Sequence, residues 1–429
     1  MRITMMLTVL APIGGIEAAL VPLTLELKAQ GHDVMIYTLL PVPEPNQYAA
    51  ALRAAGIRIL ASSAWTSRLA RAGAARRSRF AAQATAAARP ALLPIALLDA
   101  RRRRRTLGRS LQGAAGRWHA AVYRQLDFER LYFRRLGRAF QQRPPDVVHV
   151  HGWGCGEDPP GAMGWLSRQQ LPVVYTEHST PDPARDRPIE QAPMNLADVL
   201  IAASNAADSG LRRVGRASKP IVVIPCSVEP LPAVACNGHS EFTIVCVARL
   251  SRQKGQADLL DAMAHVVAQV PNARLLLAGE GPTRPQLEAQ VVRLGLAGHV
   301  FFLGLVTRPE LPAVLACADV FALPSLWEAR PLAISEAMSA GKAIVASNVG
   351  GNPELVTPGL NGWLVPPGDV AALAEALLKL AADPEAVRRM GAASQARFAE
   401  GGSAPALVAA QHLEAYRRAI DSAIHRKLG

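Results

Sequence analysis

The stretch DVFALPSLWEARPLAISEAMSAGKAIVASNVGG, residues 319–351, constrains this chain more than any other. Its apolar opening, closed by Pro324 and Ser325, predicts a buried strand. A short loop follows, Leu326 to Arg330. Pro331 then stands at the expected first helical position, where a missing N–H costs nothing. The helix is expected to run to about Ala340, with Gly341 as its C-terminal cap, and Lys342 to Ser347 is a second buried strand. Such a strand–loop–helix–strand unit belongs to a parallel sheet. It places the loop and the helix start at the sheet's carboxyl edge, where α/β proteins take their ligands.

Two carboxylates mark the unit, Glu328 in the loop and Glu336 on an otherwise small and apolar helix. Either one alone reads equally well as a solvated residue. Together, beside a helix start, they point to a polar ligand, and carboxylates suit the vicinal hydroxyls of a ribose or a hexose. The spacing of Glu328 and Glu336, followed by Gly350-Gly351-Asn352-Pro353-Glu354, resembles the family-4 retaining glycosyltransferases. That resemblance implies the GT-B fold: two doubly wound, Rossmann-like parallel-sheet domains facing across a cleft, with a C-terminal helix crossing back to the first. The chain departs from the family at Ala329-Arg330, where a glycine and an aromatic or aliphatic residue are usual. Backbone amides there are expected to touch the donor sugar, so the departure bears on sugar choice rather than on fold.

At 429 residues, two domains of roughly 200 residues each are expected rather than one core. Residues 1–228 form the expected acceptor-side domain, 229–240 the linker, 241–402 the nucleotide-sugar domain and 403–429 the returning helix. Five cysteines (155, 226, 236, 246 and 317) show no paired metal-binding spacing. Their odd number argues for a reducing compartment and against a disulfide framework. The N-terminal MRITMMLTVLAPIGG has one charge before its apolar run, and Gly14 to Glu17 fall where a leader would be cleaved, so it reads as a first buried strand. No apolar run approaches the ~18–20 residues that span a bilayer.

That strand ends in a loop containing Gly14 and Gly15, and a helix follows to about Gln30. Adjacent glycines let a backbone approach a ligand closely, though an ordinary tight turn explains them as well. The resemblance implies that Gly14 and Gly15, in the family's Gly-Gly-x-Glu loop, lie beside the donor phosphates and the acceptor. The segments DVVHVHG (146–152) and VVYTEHS (173–179) are further buried strands carrying His149, His151 and His178. Three histidines at sheet ends could suggest zinc, but no known ligand spacing accompanies them. In the second half, Arg249 and Lys254 bracket a Gly-bounded basic loop that leads into a helix, an arrangement suited to a diphosphate and equally to a solvated loop.

The net charge of +13 is concentrated. Residues 65–143 hold 19 arginines, no lysine and three acids, so this segment is +16 and the other 350 residues are −3. Inside it, ALLPIALL (91–98) sits between Arg89 and the run Arg101 to Arg105. Eight apolar residues cannot cross a membrane but can enter an anionic interface. Solvated helices explain the segment as well. Nucleic acid is disfavoured, since few aromatic residues interleave with the charge.

From the resemblance follow the expected roles. Arg249, Lys254 and amides near Pro331 and Leu332 hold the donor diphosphate and sugar, and Glu336 holds the ribose. His178 and Glu328 act at the sugar. No Asp-x-Asp pair occurs, so neither a metal nor another cofactor is expected. The implied function is retaining transfer of a hexose-type sugar from a nucleotide-diphosphate sugar to a glycan or lipid-linked acceptor. The setting is cell-envelope or exopolysaccharide synthesis, in the cytoplasm or peripheral on the inner face of the plasma membrane. The alternatives are a non-catalytic sugar-nucleotide binding protein and a GT-B-fold sugar-nucleotide epimerase.

Overall fold

The structure is a computed structural model. It describes residues 1–8, 10–11, 15–39, 42–61, 128–152, 162–178, 193–213, 221–235, 241–401 and 403–428. Gly14, Cys155, Cys236 and the basic segment from 65 to 127 lie outside the described residues.

The first half builds one seven-stranded sheet. In chain order its strands are β1 (Arg2–Leu7), β2 (Asp33–Thr38), β3 (Arg58–Ala61), β4 (Val147–Gly152), β5 (Val173–Glu177), β6 (Val199–Ala202) and β7 (Ile221–Val223). They lie side by side as β3-β2-β1-β4-β5-β6-β7, and every pairing is parallel. The helices between them include α1 (Gly15–Ala29), α2 (Gln47–Ala54), α3 (Phe128–Gln142), α4 (Ala162–Arg168) and α5 (Asn205–Leu211). Strand β4 is buried along its whole length, as its continuous VVHVHG run requires of a strand covered on both faces.

The second half repeats the plan with six strands: β8 (Thr243–Val247), β9 (Arg274–Ala278), β10 (Val300–Gly304), β11 (Val320–Leu323), β12 (Ala343–Ser347) and β13 (Gly362–Val365). Their order is β10-β9-β8-β11-β12-β13, again all parallel. Around this sheet lie α6 (Gln256–Gln269), α7 (Arg284–Arg293), α8 (Leu311–Ala316), α9 (Leu332–Ser339), α10 (Asn352–Leu355), α11 (Val370–Ala382) and α12 (Pro384–Glu400). In each sheet the strand order reverses once, between β1 and β4 and between β8 and β11. That reversal opens a crevice at the carboxyl edge.

The last helix, α13 (Pro405–Leu428), leaves the second sheet and packs on α1 and the first sheet. Val408, Ala409, Tyr416 and Ala419 are fully buried in that sheet's core. Asp198, buried beside β6, pairs with Arg426 near the helix end. Most strands run shorter than their apolar stretches suggest, because apolar residues such as Leu250 continue past the last paired position. Pro331 is corrected by one position: its extended backbone (φ −73°, ψ 121°) makes it the N-cap, and the helix starts at Leu332. Gly341 has the expected left-handed φ of 67° just beyond the helix.

Candidate active site

The loop after β8 and the loop after β11 flank the switch point of the second sheet, and backbone bonds lock them together. Leu326 N donates to the Gln253 carbonyl at 2.7 Å, and the Gln253 side chain donates to the Trp327 carbonyl at 3.0 Å. Gly255, with φ 67°, closes the first loop. A Cβ there would lie 2.0 Å from the Pro324 carbonyl oxygen, so only glycine lets the loops meet. Gly350 serves the other side in the same way, with φ 51° and the Glu328 carbonyl 1.7 Å from where its Cβ would be. The two glycine-bearing segments clamp the Glu328 loop from both sides.

Within that clamp Lys254 Nζ donates to Glu328 Oε1 at 2.5 Å, and Ser325 Oγ donates to the same oxygen at 2.7 Å. Glu328 is buried and the Lys254 side chain is 19% exposed. The residues expected to serve the diphosphate and the sugar are therefore ion-paired to each other. Arg249 is exposed on the same loop, and its carbonyl accepts from Gln256.

Glu336 lies on the next turn of α9. Burial raises its carboxyl, and Arg308 works against that shift with a bond from Nη1 to Oε1 at 3.0 Å. Tyr48, from α2 of the first sheet, is near the same group. Burial first, then the charge of Glu336, pushes its hydroxyl up to about 12. Gly15 begins α1 opposite the start of α9, where a Cβ would lie 3.9 Å from Leu332 Cδ1. Glu17, two residues on, is buried and accepts from the Ala11 amide at 2.9 Å.

His178 follows β5 and shares a hydrogen bond of 3.0 Å between its Nε2 and His151 Nδ1. Burial, then the neighbouring His412 on α13, lowers His178 to about 4, so it is a neutral imidazole at ordinary pH. His149 lies deeper, between the Tyr416 hydroxyl (2.8 Å) and the Thr176 hydroxyl (2.7 Å), and is structural.

A second set of contacts ties this loop to the first sheet. Ser204 Oγ donates to the Ala329 carbonyl at 2.8 Å. Glu354 Oε1 accepts from the Asn205 and Ala206 amides at the start of α5, while its Oε2 accepts from Arg330 at 3.1 Å. Arg330, where the sequence departs from its relatives, is thus part of a contact between the two lobes. Sequence reasoning assigned no role to Arg308, Ser204, Ser325 or Tyr48. Arg308 stands alone in a loop and Tyr48 on a short helix, so neither carries a local signal.

The two lobes thus meet beside the Glu328 loop, and similarity to known proteins gives the family. The profile of the glycosyl transferases group 1 matches residues 220–397, and that of glycosyltransferase family 4 matches residues 98–230. The chain is 31% identical over 314 residues to the alpha-maltose-1-phosphate synthase of Mycolicibacterium smegmatis, covering 63% of this chain and 79% of that one. It is 36% identical over 159 residues to that organism's GDP-mannose-dependent alpha-(1-6)-phosphatidylinositol monomannoside mannosyltransferase, where the match spans 35% of this chain and 42% of the enzyme. The chain belongs to the family-4 glycosyltransferases. In fold it is similar to sucrose-phosphate synthase from Thermosynechococcus elongatus (TM-score 0.70, 24% identity, 97% and 98% of the two chains). It is also similar to Anabaena HepE in complex with UDP and glucose (TM-score 0.69, 19% identity, 97% and 99%). The fold is GT-B. Among the described residues no helix is long and apolar enough to cross a membrane.

Proposed function

We propose that the protein is a retaining, metal-independent hexosyltransferase that moves a sugar from a nucleotide-diphosphate sugar to a glycan or lipid-linked acceptor. The observation that carries this reading is the pair Glu328 and Glu336 on either side of the α9 start, at the switch point of the second sheet. Each carboxylate has one oxygen engaged by a cation, Lys254 and Arg308 respectively. Glu336 would accept from the ribose hydroxyls. Glu328 would accept from the sugar and balance positive charge developing on the ring. Lys254 and Arg249, with the first amides of α9, would stabilise the departing diphosphate as its charge grows, the task a metal performs in other transferases. Neutral His178 can donate or accept at the sugar, with its tautomer set by His151. Domain closure over the donor would exclude water. The arginine-rich segment 65–143 favours an acceptor held at an anionic membrane surface.

The test is thermal stabilisation by UDP, GDP, ADP and their hexose conjugates, for wild type and Glu336→Ala, followed by turnover with and without EDTA. One nucleotide series should stabilise the wild type and not the variant, and turnover should survive EDTA with the anomeric configuration kept. Stabilisation with no turnover on any acceptor would favour a non-catalytic binder. Acceptor-independent release of free sugar would favour an epimerase.

A further inference from the structure

The arginine that meets Glu336 also meets the connector between the two sheets. Arg308 lies in the loop between β10 and α8. While Nη1 bonds Glu336, Nη2 donates to the carbonyl of Glu229 at 2.9 Å, with the Glu229 carboxylate 3.6 Å away. Glu229 belongs to the extended segment that leaves β7 for the second sheet. The same segment is held two residues later, where Leu231 N donates to Ser339 Oγ at 3.3 Å, and Ser339 Oγ donates to the Glu336 carbonyl at 2.8 Å. The guanidinium is thus gripped at both ends of its fork and cannot turn without breaking a bond. Its side chain is 21% exposed and that of Glu336 is 14% exposed, so solvent screens the pair little. Among the described residues Glu336 Oε2 has no hydrogen-bond partner.

We infer that Arg308 is a positioning residue for the donor's ribose: it fixes the Glu336 carboxylate in one orientation and leaves Oε2 to accept from the vicinal diol. This rests on the reading of Glu336 as a ribose ligand. A planar fork suits the role better than an ammonium would, because one nitrogen can stay on the connector carbonyl while the other aims the carboxylate. Removing the cation leaves a carboxyl group that burial already favours in its neutral form, and a protonated Glu336 is a poorer acceptor. None of the other titratable groups around this site supplies a positive charge. Tyr48 is a neutral phenol on α2, Glu17 on α1 lies near Tyr48, and Glu229 on the connector is an acid. Arg308 is the cation that counters them.

The experiment is titration of wild type, Arg308→Lys and Arg308→Met with UDP and GDP across pH 5.5 to 8.5, with melting temperatures measured alongside. Arg308→Met should bind about tenfold or more weakly, the size of a lost bond to a charged group. Its loss of affinity toward acid should begin at a higher pH than in wild type. Arg308→Lys should keep the wild-type acid limb while binding more weakly, because it restores charge without the fork. In Glu336→Gln, adding Arg308→Met should cost nothing further. A uniform loss with an unchanged acid limb, or an equal loss in the Glu336→Gln background, would overturn the inference while leaving the proposed function intact. Failure of the wild type to bind UDP, GDP or, titrated alongside, ADP would overturn both. If Arg308→Met does not fold, the Arg308→Lys limb and its loss in the Glu336→Gln background decide the matter.

Discussion

Lys254 and Glu328, 74 positions apart in the chain, form an ion pair because the β8 and β11 loops meet. The ammonium has three donors, so its bond to Glu328 leaves two for a diphosphate. The pairing changes what a mutation at this site reports. Lys254→Ala strands a buried carboxylate and should cost about 3–5 kcal/mol of stability, besides lowering kcat/KM by about 10²–10³-fold if the lysine stabilises the leaving group. The two effects separate in the Glu328→Gln background. There, Lys254→Met should spare the melting temperature and still lower kcat/KM below that of Glu328→Gln alone. If it lowers kcat/KM no further, the lysine acts only through Glu328.

At the scale of an element, the most informative contact is the docking of α13 on the carboxyl half of β4 and β5. Tyr416 and His412 of α13 enclose His149, with the His149 and His412 rings 5.4 Å apart, and His151 and His178 continue the stack. The His412 ring is also held by its own helix, at the Val408 carbonyl. Burial lowers the whole cluster, reinforced by neighbouring imidazoles at His149, His151 and His178 and opposed at His412 by its bond to the Val408 carbonyl: His178 and His412 fall to about 4, His149 and His151 well below the ordinary value of 6.5. The folded state therefore prefers neutral rings. Their contribution to stability is whole above pH 6.5, where the unfolded chain is neutral too, and is lost as pH falls from 6.5 toward 4, where only the unfolded chain takes up the protons. The urea midpoint should accordingly fall between pH 7 and pH 5, and His412→Gln should flatten that fall. An identical fall in the variant would place the pH dependence elsewhere.

At the scale of the whole molecule, Glu354 makes several of the polar contacts between the lobes among the described residues. It caps α5 of the first lobe while holding Arg330 of its own, next to the bond between Ser204 and Ala329. Glu354→Ala should loosen the lobes. Small-angle scattering should show a larger radius of gyration without donor, and the donor KM should rise more than kcat falls. The cost should be about 1.5–3 kcal/mol, the size of a bond to a charged group. An unchanged scattering curve with an unchanged KM would make the contact incidental. Arg330, which in the sequence alone bears on sugar choice, is in the structure a half-buried partner of this clasp, its guanidinium lowered by burial.

The information that can be read along the chain is local and periodic. It holds the alternation of apolar runs with helices that makes two parallel sheets, the glycines that let loops close, and the spacing of Glu328 and Glu336 around one helix start. These could be read because strand, turn and cap chemistry acts within a few residues. The tertiary structure decided the partners: Lys254 for Glu328, Arg308 for Glu336, Glu354 for the start of α5, and Tyr416 for His149. Those pairings span 28 to 267 positions of the chain in no periodic pattern. They arise only when distant segments meet in three dimensions: loops of one sheet for Lys254 and Arg308, the two lobes for Glu354, and the returning helix for Tyr416. Their energies depend on burial, which no single residue's neighbours along the chain disclose.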